Sequence, residues 1–136
     1  MKLQSIDDIE RLPSVLPLEE VSQRLLELVA IFRRDDTPAV PGTEALVDMI
    51  SYAGHSETWH SPEVSVVVLR WIDERYDGRD DELVDAQIAV VANLHPQVSI
   101  PFFRQRLAGE ISDFERREVT WAVAEIEDLV ERRAVL

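Results

Sequence analysis

The sequence predicts an all-α domain, and three observations carry that prediction. Apolar residues recur at helical spacing through successive segments, glycines and prolines punctuate the chain between them, and recognisable helix-start signals open several of them. The segment Asp81–Leu94, DELVDAQIAVVANL, sits at the centre of this arrangement. After Asp85 it is apolar almost all the way round, interrupted only by Gln87 and Asn93. A helix of that kind is one that other elements surround.

Taken in order, Ser5–Leu12 reads as a short first helix with Asp7 and Asp8 near its positive end. Pro17 opens a long helix to Arg34, where Leu18, Val21, Leu25, Leu28 and Phe32 make one face and Arg33 and Arg34 suit the C-terminal end. Asp35–Gly42 holds two prolines and reads as a loop. Thr43 is expected to cap the next helix, to about Ala53, with Leu46, Met49, Ile50 and Ala53 inward. Gly54–His60 is a polar connection containing Trp59. Ser61-Pro62-Glu63 then gives a hydroxyl cap, a proline in the first position and an acid in the first turn, which predicts a helix to about Tyr76. Val64–Leu69 is β-branched enough to suit a strand. The start signal and the continuing Trp71, Ile72, Arg75 pattern favour a helix there instead. Asp80 or Asp81 caps the central helix, and His95 reads as a C-terminal residue interacting with its dipole. Ser99 is expected to cap the following helix, with Pro101 in its first turn. Ser112-Asp113-Phe114-Glu115 matches the capping box and opens a last helix to about Arg133, with a stripe of Val119, Val123, Ile126 and Val130. Asp113/Arg117 and Asp128/Arg132 are i,i+4 pairs in the favourable order. Trp71 and Trp121 occupy helical positions expected to be core.

The 136 residues suit one domain, and 46% hydrophobic content suits a packed core. No run approaches the roughly 18 apolar residues of a membrane span, and the N-terminal stretch lacks a signal-peptide core. A cytoplasmic location is therefore expected. There is no cysteine, so disulfides, thiolate metal sites and cysteine nucleophiles are excluded. Net charge is −13, from 27 acids against 14 bases, and Lys2 is the lone lysine. That balance disfavours nucleic acid as a ligand. It serves solubility, attraction to a basic partner, or both.

The helices read as antiparallel pairs. Shifted by 32 residues, the central helix lies on the last one: Asp81 falls on Asp113, Val91 on Val123, Ala92 on Ala124 and Leu94 on Ile126. Ser61–Tyr76 and Ser99–Gly109 supply the first members of two pairs, and Pro17–Arg34 with Thr43–Ala53 makes a third. Within Ile100–Ile126, a proline-opened helix is followed by Asp113 at the turn, Arg116 or Arg117, and a closing Ala122–Ile126. This stretch resembles a HEAT-like helical repeat. The other pairs depart from the pattern, since Asp85 stands where Arg117 does. The resemblance implies a short α-solenoid that binds proteins along its second helices.

No phosphate loop, nucleophile elbow or zinc-protease motif is present, so no catalytic residue and no cofactor is expected. His55 and His60, with Glu57 and Asp48, have spacing loose enough to read as solvated loop residues rather than a metal site. The pairs Glu82/Asp85, Glu115/Glu118 and Glu125/Asp128 each set two acids on one helix face. All-α nucleotide pyrophosphohydrolases bind Mg²⁺ through such acids, but their order and gap are not matched here. The densest acidic stretch is Asp73–Asp85, where seven acids and two arginines surround Tyr76. It suits either a solvated turn or an acidic interface carrying an aromatic anchor. Partner contacts are expected at Tyr76, Asp77, Asp80, Asp81 and Asp85, at Glu118 on the last helix, and at Trp59 in its polar connection. The expected function is binding of another, basic protein, in the concrete form of an immunity or inhibitor protein neutralising a toxin such as a nuclease. An adaptor or homo-oligomeric assembly subunit is the alternative, and an Mg²⁺-dependent pyrophosphohydrolase a further one.

Overall fold

The computed structural model describes residues 2–53 and 59–135. Among the described residues there is no strand. A 3₁₀ helix, Ile6–Arg11, precedes six α-helices: α1 Leu18–Asp35, α2 Ala39–Ser51, α3 Pro62–Glu74, α4 Asp81–Ala92, α5 Pro96–Ala108 and α6 Asp113–Val135. Val64–Leu69 is helical, as the start signal predicts: Ser61 Oγ accepts from the Val64 N–H at 3.3 Å, and Pro62 occupies the first turn.

Packing follows two series. α1 lies against α3 and α3 against α5, while α2 lies against α4 and α4 against α6; α1–α2 and α5–α6 join the series. Val21, Leu25, Leu28 and Phe32 of α1 are buried, as their spacing requires, and Val68, Trp71 and Ile72 of α3 meet them in one core. α4 buries Leu83, Val84, Gln87, Ile88, Val90 and Val91. It is not enclosed on every side, because Glu82, Asp85, Ala89 and Asn93 form an exposed stripe. Its alanines satisfy helix propensity without demanding burial, so its apolar composition overstates its enclosure. Gln87 donates to the Arg75 carbonyl at 3.2 Å and so ties α4 to the end of α3.

Two helices begin earlier than expected. α2 starts at Ala39, with Pro38 as its extended cap and Pro41 within the first turn, where a missing N–H costs nothing. Thr43 is therefore interior and fully buried, not a cap. Gly42 is inside the helix as well. A Cβ there would lie 2.7 Å from Trp71 Cζ2 and closer still to Cη2, so this glycine exists to let α2 approach the Trp71 ring. α5 starts at Pro96, capped by His95, whose Nδ1 accepts from the Gln97 N–H at 3.1 Å. His95 thus begins α5 instead of ending α4, Ser99 is buried, and Pro101 lies in the helix interior.

Trp71 is fully buried, but Trp121 is 62% exposed. The core face of α6 is Val119, Ala122 and Ile126, and Trp121 points the opposite way. Val130, expected inward, is exposed because the last turns of α6 run past the core. Of the two expected pairs on α6, Asp128–Arg132 forms, whereas Arg117 lies over the Phe114 ring at 6.0 Å.

The N-terminal segment is held to α1 by a buried ion pair. Arg24 Nη1 reaches Glu27 Oε1 at 2.8 Å, and that oxygen also accepts from the Leu3 N–H at 3.0 Å. Both residues fall in phase with the buried stripe of α1, which is the pattern a paired internal charge leaves in a sequence.

Candidate partner-binding cleft

The turn after α3 and the turn after α5 lie side by side, and a cleft of about 670 Å³ opens between them. Its floor is built from three segments. Ser112 caps α6 by accepting from the Glu115 N–H at 3.0 Å, which is half of the expected capping box. The Glu115 carboxylate does not complete the box. It turns inward, is 1% exposed, and is gripped by Arg106 of α5 through Nε at 2.6 Å and Nη2 at 3.0 Å. The Tyr76 hydroxyl donates to its Oε2 at 2.9 Å.

Tyr76 is therefore half-buried with its hydroxyl engaged. Its ring sits edge-on to Phe102 at 5.5 Å, under the Arg106 guanidinium at 4.5 Å. Burial, then the Glu115 carboxylate, pushes its pKa above the ordinary phenol value, which keeps the donor protonated. The bond to Glu115 raises the pKa of Arg106 in turn. Gly78 passes directly over the pair, since a Cβ there would lie 2.5 Å from Glu115 Oε1. The floor is thus internally neutral and fully bonded.

The rim is not. Asp73 at the end of α3, Asp77 in the first turn, Asp81 at the start of α4 and Glu110 in the second turn line the cleft, with Arg79 as the remaining cation. Arg79 is committed to Asp77, at 3.1 Å from Nε to Oδ1. That bond and one from the Arg79 backbone hold the pKa of Asp77 below the usual carboxylate range.

Of the residues expected to meet a partner, Tyr76, Asp77 and Asp81 line this cleft. Asp80 caps α4, accepting from the Leu83 N–H at 3.2 Å. Asp85 is exposed a turn further along α4, and Glu118 is half-buried on α6; neither lines the cleft. Trp59 belongs to a different groove, formed with Leu18, Ser22, Leu26 and His60, and its ring carries the Arg133 guanidinium at 4.1 Å. Asp73 lies inside the acidic stretch, Arg106 and Glu110 are not among the expected site residues, and Glu115 is expected as a capping-box acid and one of a carboxylate pair, not as the floor of this cleft. A signal for Glu115 was available: it falls one turn before Val119, in phase with the buried stripe of α6.

Among the described residues, no group of three or more His, Asp or Glu could hold a metal ion. His55 and Glu57 lie outside the described residues. His60 is not a solvated loop histidine. It is buried, its Nδ1 bonds the Ser22 hydroxyl, and desolvation lowers its pKa. Glu115 of the Glu115/Glu118 pair is taken up by Arg106, which removes it from any cation site. No family model, curated protein or solved structure matches the chain.

Removing the central carboxylate tests this geometry. Glu115→Ala should lower stability by roughly 3 kcal/mol, the lower end for a broken buried pair, because Arg106 is partly exposed and can turn to water. Tyr76→Phe, which deletes one hydrogen bond, should cost about 1 kcal/mol. Urea unfolding midpoints measure both. A Glu115→Ala midpoint equal to wild type would mean that the carboxylate does not hold the floor together.

Proposed function

We propose that the chain is a protein-binding domain whose partner is basic, and that the cleft between the two turns is its contact surface. The observation that supports this most is the separation of charge within the cleft. The floor neutralises itself and Arg79 is taken up by Asp77, so among the described residues Asp73, Asp81 and Glu110 present their charge outward without a matching cation. Convergent carboxylates of this kind steer a basic partner and exclude acidic ones. The most concrete form is an inhibitor or immunity protein acting on a toxin such as a nuclease, with the rim carboxylates standing where substrate phosphates would.

The scaffold fits a short stack of helical hairpins. The two packing series α1–α3–α5 and α2–α4–α6, with α1 on α2 and α5 on α6, support stacked hairpins of a HEAT-like solenoid, while the α3–α4 pair is much the loosest of the three. No helix among the described residues is long and apolar enough to cross a membrane.

Affinity capture from the native host tests the proposal. Immobilised wild type should retain a protein of high isoelectric point that salt releases, and an Asp73→Asn, Asp77→Asn, Asp81→Asn, Glu110→Gln variant should not. Asp80 is left in place because it caps α4. Retention of an acidic protein, or equal retention by both chains, would remove the proposal.

A further inference from the structure

The uncovered face of α6 carries a pattern that the cleft does not explain. Trp121 is 62% exposed. A large aromatic left in water is informative in a way that a scattered valine is not. Arg117 lies one helical turn before it and Glu125 one turn after it, both exposed. At 100° per residue the three form one i±4 ridge centred on the tryptophan. Each charge stands about 6 Å along the axis from Trp121, in opposite directions. Arg117 rests over the Phe114 ring at 6.0 Å, and among the described residues neither it nor Glu125 has an ion-pair partner.

We infer that this face binds a second copy of the chain, α6 against α6, around a two-fold axis at Trp121. The argument is self-complementarity. An antiparallel copy reverses the ridge, so Arg117 of one protomer meets Glu125 of its partner, and the same contact recurs on the other side. Packing i±4 ridges alongside one another is the commonest helix crossing, near −50°. Thr120 and Ala124 flank the ridge with small exposed side chains, which permits close approach. α6 also ends the α2–α4–α6 series, so among the described residues no helix of the same chain continues the series on this side. The net charge of −13 per chain opposes association. Screening over about 8 Å at physiological ionic strength removes most of that repulsion, while the two contact pairs keep their attraction. The acidic cleft uses other residues.

Sedimentation at physiological salt tests the inference. Wild type should be a dimer at millimolar concentration and dissociate on dilution. Trp121→Ala should weaken the dimer at least tenfold. Arg117→Glu and Glu125→Arg should each leave a monomer, because each sets like charges opposite one another. Mixing those two variants should restore a dimer, since the glutamates of one chain then face the arginines of the other. Arg117→Glu/Glu125→Arg in one chain should restore it as well. All three positions are exposed, so circular dichroism of each variant should match wild type. A wild type that stays monomeric at millimolar concentration would overturn the inference, whatever else it binds. So would a dimer indifferent to Trp121→Ala, or a mixture of the two charge variants that remains monomeric.

Discussion

Val91→Asp is expected to unfold the domain or leave it barely folded. Val91 is fully buried on α4, and α4 packs against both α2 and α6. An aspartate there loses the transfer energy of the valine and gains a carboxyl with no partner. It either stays charged in a poorly solvating core or takes up a proton at a raised pKa, and both routes cost several kcal/mol. The total stability of a domain this size is roughly 5–15 kcal/mol, so little remains. Ala89→Asp is the matched control. It lies on the same helix but on the exposed stripe with Asp85 and Asn93, and it should change stability by less than about 1 kcal/mol. Thermal unfolding followed by circular dichroism separates the two. A Val91→Asp chain that unfolds cooperatively near the wild-type midpoint would show that α4 is not enclosed as described.

Gly42→Ala should be the second large effect, and its sign is the informative part. On helix propensity alone, replacing an interior glycine by alanine gains about 1 kcal/mol. Here the new methyl would overlap the Trp71 ring. That ring has nowhere to go: it is fully buried, tilted against Phe32 at 4.6 Å, with the Arg75 guanidinium 4.7 Å from its centroid. Overpacking of this kind costs about 1–3 kcal/mol, and the close approach to Cη2 of the ring puts it at the upper end, so after the propensity gain a net loss of about 1–2 kcal/mol is expected. Trp71→Phe in the same chain should relieve the clash, making the double variant more stable than the sum of the singles predicts. A stabilising Gly42→Ala would mean that α2 and α3 do not approach as closely as the structure has them.

These positions show how far the sequence could be read. Ser61 is legible as a cap, and Asp80 as one of two candidates with Asp81, because a cap is a local device, made of a side chain and a backbone N–H a few residues on. The same rule misassigns Thr43 and Ser99. A hydroxyl near a proline or glycine looks like a cap, and only the tertiary packing shows that each is a small buried residue inside a helix. Gly42 looked like a helix boundary because its reason for being glycine is Trp71, 29 residues away. Trp121 has the residue type of a core position, but the face that Val119 and Ile126 define turns it outward.

The candidate cleft divides along the same line. The acidic turn around Tyr76 was legible as a run of charge. Its floor was not, because Glu115 is 39 residues from Tyr76 and the capping-box rule assigned its carboxylate elsewhere. Glu110 joins the rim only because two turns separated in sequence are set side by side. Stacked pairs, as the HEAT-like resemblance implies, would set these two turns side by side, but the resemblance does not single out Glu110 or Glu115.

The claim that the cleft is a charge-complementary binding surface is tested most directly by association kinetics. The captured partner is mixed with wild type and with the variant lacking the charges of Asp73, Asp77, Asp81 and Glu110, across a range of ionic strength. The wild-type association rate should fall steeply as salt rises. The variant should start roughly tenfold slower at low salt and depend on salt far less, with dissociation rates changing much less than association rates. Salt profiles that superimpose for the two chains would contradict the claim.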